Sequence, residues 1–288
     1  MNEGADAISH FPFPISHFPF PISHFPFPIS HFTFHISHFT FHISHFTFPI
    51  SHFTFPISHF PLDSSLAILI AAGGSGTRFG GNKLLAEFRG LPLFCHCLRN
   101  FDAPQRCFVL AVPHGLEASF QEALQCHLPQ FQGAVHIIAG GASRPESIAK
   151  AFAFLKTLPE LPAFIAIHDA ARPLADQALL EQCVKMAQSC DGAIVAHRVT
   201  DTIHVADVTN QIVSTPDRNL LWAAETPQVF HTEIFERALQ DADWAANPPT
   251  DDASLVKRLP GIRIKLVENQ SPNPKITYSH DLELLQAK

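Results

Sequence analysis

Short apolar runs recur at 66–71, 107–112, 135–139, 164–167 and 193–196, with stretches of helical character at 115–126, 143–158 and 176–190 set among them. A run of four to six apolar residues, bounded by glycine or polar residues, reads as a fully buried strand. Strands that alternate with helices predict a mostly parallel sheet covered on both faces. Such a sheet gathers ligands at the carboxyl ends of its strands, so the loops that leave those runs are the places to look for chemistry. One helix start is marked locally. Ser143-Arg144-Pro145-Glu146 fits a capping box with proline in the first turn.

All of this pattern lies beyond residue 63. Residues 8–62 hold 15 of the 27 Phe and 10 of the 19 His and contain neither Lys nor Arg. They repeat ISHFPFP with a seven-residue period, restarting at Ile8, Ile15, Ile22, Ile29, Ile36, Ile43, Ile50 and Ile57. Proline in most units removes the amide hydrogen a coiled coil needs and also opposes a paired central strand. An extended, polyproline-like or disordered ribbon is expected for 1–63, followed by one folded domain over 64–288. Three readings of the ribbon stand beside each other: a histidine tract for a borderline metal, an apolar interaction tail, and upstream sequence read through from a start placed too early. The near-identity of the units favours the third, a recent duplication at the DNA level. The next methionine is Met186, so a start near Leu62 or Leu66 requires a codon other than AUG.

Charge and composition remove several function classes. From Asp63 on, 19 basic and 24 acidic residues leave a balance of −5, so phosphate-backbone binding to nucleic acid has no electrostatic support. No apolar run reaches the 18 residues of a membrane span, and no basic-then-apolar leader is present. The six cysteines form no CxxC pair. Reduced, mostly buried thiols in a cytoplasmic protein are expected.

The first strand end carries the densest signal, AAGGSGTRFGGNK over residues 71–83. Its glycines let backbone amides approach a polyphosphate, while Arg78 and Lys83 supply positive charge. Two common phosphate motifs fail here. Phe79 stands where a dinucleotide fingerprint needs glycine, and Asn82 follows Gly81 where a Walker loop needs lysine. A second cluster, His168-Asp169-Ala170-Ala171-Arg172-Pro173, also follows an apolar run. Asp169 is well placed to hold Mg²⁺ beside the phosphate loop. Arg172 either clamps a phosphate or carboxylate or makes a local ion pair, and His168 reads as a packed neighbour.

Taken together, the two clusters resemble the 2-C-methyl-D-erythritol 4-phosphate cytidylyltransferase family. The resemblance runs from about Leu66 to Lys288 and excludes the repeat. It extends to Gly140-Gly141 with Arg144 and Ser147, Asp201-Thr202, Asp217-Arg218-Asn219, Leu221-Trp222, Thr226-Pro227-Gln228, 250–254 (TDDAS), Lys275-Ile276-Thr277 and Asp281-Leu282. It implies a Rossmann-like sheet with helices on both faces and a protruding β-arm, about 197–218, that embraces a second subunit. It places Ala71, Ala72, Gly73, Gly76, Gly141, Ser147, Asp169 and Ala170 against CTP, and makes Arg78, Lys83 and Lys275 the catalytic cations. Arg172, Thr202, Arg218, Thr226 and Thr250 would handle the polyol phosphate or the reacting phosphates, Thr202 and Arg218 at the neighbouring subunit's site. Asp169 would hold Mg²⁺. The sequence itself supports the arm through 202–205 and 211–214, which flank 207–210 like a hairpin.

The implied reaction is attack by a phosphate-monoester oxygen on the α-phosphorus of CTP, with pyrophosphate leaving. Ribitol 5-phosphate is the alternative acceptor, since that group of enzymes shares both clusters. A nucleotide sensor without catalysis is disfavoured, because binding alone does not call for Arg78, Lys83, Asp169 and Lys275 together. Three departures from the family pattern stand at Ala142, Leu220 and His280, and none of them removes a charged catalytic group. Some relatives are fused to a cyclodiphosphate synthase, for which 288 residues leave no room.

Overall fold

The computed structural model describes residues 65–73, 82–241 and 247–286. All of them belong to one compact unit, Ser58–Lys288. The readings of the repeat, and the assignments of Gly76 and Arg78, lie outside the described residues.

The first strand β1 (Leu66–Ala71) is buried along its whole length, as the continuous apolar run requires of a central parallel strand. A small ribbon, β2 (Glu87–Phe88) with β3 (Leu91–Pro92), leads into α1 (Leu93–Asn100). Strand β4 (Cys107–Val112), α2 (Glu117–His127), β5 (Ala134–Ala139), α3 (Arg144–Leu155), β6 (Phe164–Asp169), α4 (Gln177–Ala187) and β7 (Gly192–Arg198) then alternate as the pattern predicts. Ser143 caps α3 by accepting from the Glu146 amide, and Asp176 caps α4 by accepting from Leu179, so two helix starts are fixed by single side chains. A short pair, β8 (Val205–Ala206) with β9 (Ile212–Ser214), precedes β10 (Trp222–His231). The chain closes with α5 (Thr232–Gln240), α6 (Asp252–Val256), β11 (Ile264–Glu268) and α7 (Ser279–Gln286).

Seven strands form one sheet in the order β11-β7-β10-β6-β1-β4-β5. Every neighbouring pair is parallel except the two made by β10, which runs antiparallel to β6 and β7. Alternation along β1 divides the core. Leu66, Ile68 and Ile70 face a layer built on Phe94, Leu98, Phe120, Leu180 and Val184, which brings α1, α2 and α4 to that side. Ala67, Leu69 and Ala71 face Ile148, Phe152, Phe235 and Leu255, from α3, α5 and α6. Full burial of one such aliphatic side chain is worth about 1.5–3 kcal/mol. This two-sided packing therefore holds the strand ends at fixed spacing.

The hairpin appears where expected, moved a few residues inward. The Asp207 carboxylate accepts from the amides of Thr209 and Gln211, and Asn210 takes a positive φ of 64°, so the turn is set locally. Its apolar side chains face outward: Val208 is fully exposed, Ile212 and Val213 are 60% exposed or more, and Val205 is 45% exposed. Among the described residues no helix is long and apolar enough to cross a membrane.

Candidate active site

The carboxyl ends of β1 and β6 lie side by side, Ala71 paired with Asp169. The Ala170 amide donates to the Ala71 carbonyl at 3.1 Å, and the Ala72 amide to the Ala111 carbonyl at 2.9 Å. Ala71, Ala72 and Ala170 thus form a buried floor that presents backbone. Beside it, the Ser147 hydroxyl donates to the Ser143 carbonyl at 2.8 Å and accepts from the Gly141 amide at 3.0 Å. A Cβ on Gly73 would stand 2.6 Å from Ser147 Oγ, and one on Gly140 would stand 2.9 Å from it. Only glycine lets both loops close on that hydroxyl. In its role here Ser147 shapes the loops, since both of its hydrogen bonds are internal.

Asp169 is the centre of charge. It is 5% exposed, with Arg144 Nε 2.7 Å from Oδ1 and Lys275 Nζ 2.7 Å from Oδ2. Arg172 Nε stands further off, 3.9 Å from Oδ2. Burial pushes the carboxyl up, but Arg144 and Lys275 outweigh it and hold the group well below the ordinary carboxylate range. Arg144 continues to a second buried acid, with Nη2 2.7 Å from Asp252 Oδ2. Burial pushes the Asp252 carboxyl up against the pull of Arg144, and Asp252, Arg144, Asp169 and Lys275 form a row in which acids and bases alternate.

Behind the row, the His168 ring fixes one hydrogen-bond direction. Its Nε2 lies 3.1 Å from the Arg172 carbonyl, which only accepts, so Nε2 carries the hydrogen. Nδ1 then accepts from the Thr226 hydroxyl at 3.0 Å, and that hydroxyl accepts from the Asp169 amide at 3.1 Å. Burial lowers the His168 pKa to about 4 against the opposing pull of Asp169, so the ring is neutral near pH 7. The expectation of a packed histidine holds. Thr226, a candidate for polyol phosphate, is itself buried and sets the Asp169 backbone.

The loop after β11 delivers Lys275. Asn269 and Asn273 each donate to Glu225 Oε2 at 2.9 Å, and Asn273 also donates to the Thr226 carbonyl at 3.1 Å. Arg172 Nη1 donates to the Asn273 carbonyl at 2.6 Å. Lys83, at the exit of the glycine loop, donates to the Ile276 carbonyl at 2.8 Å. The structure so brings Lys83, Asp169, Arg172, Thr226 and Lys275 together. Of the two open readings of Arg172, a local role is visible, in which it holds Asn273 and faces Asp169. Thr250 is exposed on the turn before α6, where the Asp251–Ser254 capping box fixes the backbone. Thr202 and Arg218 lie exposed on the arm, Arg218 donating to the Thr200 carbonyl. Among the described residues they do not join the strand-end group through contacts within their own chain.

Sequence reasoning missed Glu225, Asn269 and Asn273. Only the glutamate carried a local hint, as a carboxylate inside the apolar stretch around Thr226-Pro227. Its other oxygen stands 2.6 Å from His197 Nδ1.

A glycine-lined strand end, two lysines and a buried carboxylate at the sheet's carboxyl edge define a nucleotidyltransferase-type α/β enzyme. Residues 66–288 match the profile of IspD, 2-C-methyl-D-erythritol 4-phosphate cytidylyltransferase. The chain belongs to that family. It is 34% identical to the enzyme so named from Symbiobacterium thermophilum, over 78% of this chain and 93% of that one. It is 37% identical to the one from Prochlorococcus marinus (strain MIT 9312), over 75% and 94%. Among solved structures, the 2-C-methyl-D-erythritol 4-phosphate cytidylyltransferase of Thermus thermophilus superposes with a TM-score of 0.61 at 27% identity, covering 77% of this chain and 97% of that one.

Proposed function

We propose that this chain transfers CMP from CTP to 2-C-methyl-D-erythritol 4-phosphate, giving 4-diphosphocytidyl-2-C-methyl-D-erythritol and pyrophosphate. Family membership supports the substrates. The observation that carries the chemistry is the convergence of Lys275 on Asp169 with Lys83 bonded to the next residue's carbonyl.

One oxygen of the acceptor phosphate attacks the α-phosphorus of CTP, the bond to the bridging oxygen breaks, and pyrophosphate leaves with that electron pair. No protein nucleophile is needed. The work is alignment and neutralisation of charge. Lys83 and Arg78 neutralise the nucleotide phosphates, Lys275 adds charge near the reacting phosphorus, and Gly73, Gly76 and Gly141 let backbone approach the nucleotide. The acceptor side falls to Arg172, Thr250 and the Thr226 stretch.

Asp169 would hold Mg²⁺. The donor set fits, because Mg²⁺ takes one or two carboxylates and completes its shell with phosphate oxygens and water. Bound there, the ion would supply positive charge against the negative charge of the nucleotide phosphates. The exposed apolar hairpin fits an arm that embraces a second subunit, with Thr202 and Arg218 serving that neighbour's site. Six free cysteines, four of them buried, suit a reducing cytoplasm.

The test is pyrophosphate release by the full chain with each of CTP, UTP and ATP against methylerythritol phosphate and ribitol 5-phosphate. The expected result is turnover with CTP and methylerythritol phosphate. Preferential turnover of ribitol 5-phosphate would transfer the assignment to that acceptor.

A further inference from the structure

Arg144 has no assigned part in the reaction, yet it lies between two buried carboxylates from distant elements. As the first residue of α3 it places Nε on Asp169 at the end of β6 and Nη2 on Asp252 at the start of α6, each at 2.7 Å. Asp252 is 3% exposed. Burial pulls the guanidinium pKa down, but the two acids reverse that and hold it above the ordinary arginine range.

Nor does Asp252 stand alone on its side. The neighbouring Asp251 accepts from Gln228 Nε2 at 3.0 Å, while Gln228 Oε1 accepts from the Ala253 amide at 3.0 Å. The Ser254 hydroxyl in turn accepts from the Thr250 amide at 3.1 Å. The Thr250 turn and α6 are thus held together, and Arg144 is the side chain that links them to the Asp169 carboxylate. A guanidinium can hold two carboxylates at once in fixed directions, whereas an ammonium presents one point of charge.

We propose that Arg144 is a positioning residue for nucleotidyl transfer: it fixes the Asp169 carboxylate through Oδ1 and couples it to the Thr250 turn through Asp252, so that the nucleotide and acceptor sides of the site are set as one unit. This rests on the assignment of Asp169 to the metal-bound nucleotide. With Arg144 on Oδ1, the oxygen open to exchange is Oδ2, which faces the half-exposed Lys275.

The experiment is calorimetric titration of the full chain with Mg²⁺ and CTP, without acceptor, for Arg144→Lys, Asp252→Asn, the double variant and Asp169→Asn. Thermal melts run alongside. Outer-shell partners of a metal ligand are worth about 10–100-fold in affinity. Arg144→Lys, which keeps the charge, should weaken binding by about that factor. Asp252→Asn should weaken it in the same direction, although Asp252 reaches Asp169 through Arg144. The double variant should be little worse than Arg144→Lys, since both substitutions break one link. Lowered melting temperatures with unchanged nucleotide affinity would overturn the proposal, as would losses that multiply in the double variant. Asp252→Asn retains side-chain shape and keeps the test decisive where Arg144→Lys fails to fold. If Asp169→Asn itself binds normally, the assignment of Asp169 fails and the proposal with it. If only Asp169→Asn loses binding, Asp169 stands and the role of Arg144 is overturned.

Discussion

Lys83 Nζ donates to the Ile276 carbonyl at 2.8 Å, joining positions 193 residues apart. This contact sets the exit of the glycine loop against the segment that places Lys275 on Asp169. One lysine therefore reads the position of the other through a single backbone peptide. The exit of the glycine loop and the Lys275 segment are held at a common spacing, which is what alignment catalysis asks of a fold.

Lys83→Ala removes both the charge and that contact. The loss of one preorganised group that stabilises developing charge costs about 10²-fold or more in kcat. The melting temperature should change little, because the bond lies at a partly buried edge. Steady-state pyrophosphate release alongside a thermal melt checks this, and near-normal kcat in a folded variant would refute the role.

Gly73→Ala should fail in a way that points to Ser147. The added methyl carbon would stand 2.6 Å from Ser147 Oγ, and overpacking of this kind costs roughly 1–3 kcal/mol. Urea unfolding should show a lower midpoint, and CTP affinity should fall with it. Adding Ser147→Ala to Gly73→Ala relieves the clash and should recover part of the stability. A double variant less stable than the sum of the singles would contradict the geometry.

Stability should decline through one histidine as the pH falls. Above pH 6.5 His168 is neutral in folded and unfolded chains and contributes no difference. Below it the unfolded chain takes a proton that the buried ring, with its pKa near 4, refuses. The loss grows from pH 6.5 to about 4 and amounts to roughly 3 kcal/mol once complete. Asp169, held low by its cations, stays ionised across that window, so its own acid loss falls at lower pH. His168→Asn, in which Oδ1 replaces Nδ1 as acceptor from Thr226, should be less stable at pH 7 but flatter from pH 6.5 to 4. An unchanged slope would remove His168 as the cause.

The exposed hairpin makes the arm testable by itself. Ile212 and Val213 are 62% and 60% exposed, so an aspartate at either position meets little packing in the single chain. Ile212→Asp with Val213→Asp should leave the melting curve of the monomer intact while shifting sedimentation from dimer to monomer. Activity should fall with dimerisation, because Thr202 and Arg218 lie on the same arm. A monomeric variant with full activity would detach the arm from the reaction.

Local signals located much of this fold and only part of its site. The run at 66–71 became β1 without change, and Ser143 and Asp176 each start a helix through a bond to a residue three positions on. By contrast β10 escaped, because Thr226-Pro227 interrupts its apolar pattern at the place where the pairing shifts between Ala224 and Gln228. Helix α3 ends at Leu155 rather than 158, where Lys156 to Leu158 turn ahead of Pro159. The glycine loop and the Asp169 turn were legible since each is one contiguous motif. The Glu225–Asn269–Asn273 tie spans more than 40 residues of chain, and no local pattern marks a bond of that kind. Burial of Thr226 was hidden for the same reason, since it follows from the packing of β10 against β6.

The central claim is that the α-phosphorus of CTP becomes joined to the acceptor's own phosphate. Phosphorus NMR of the full chain with Mg²⁺, CTP and methylerythritol phosphate observes that bond directly. The account predicts two mutually coupled diphosphate resonances growing as pyrophosphate appears in equal amount, and none of this without the acceptor. Orthophosphate as the sole new signal, or CTP left intact under these conditions, would contradict it.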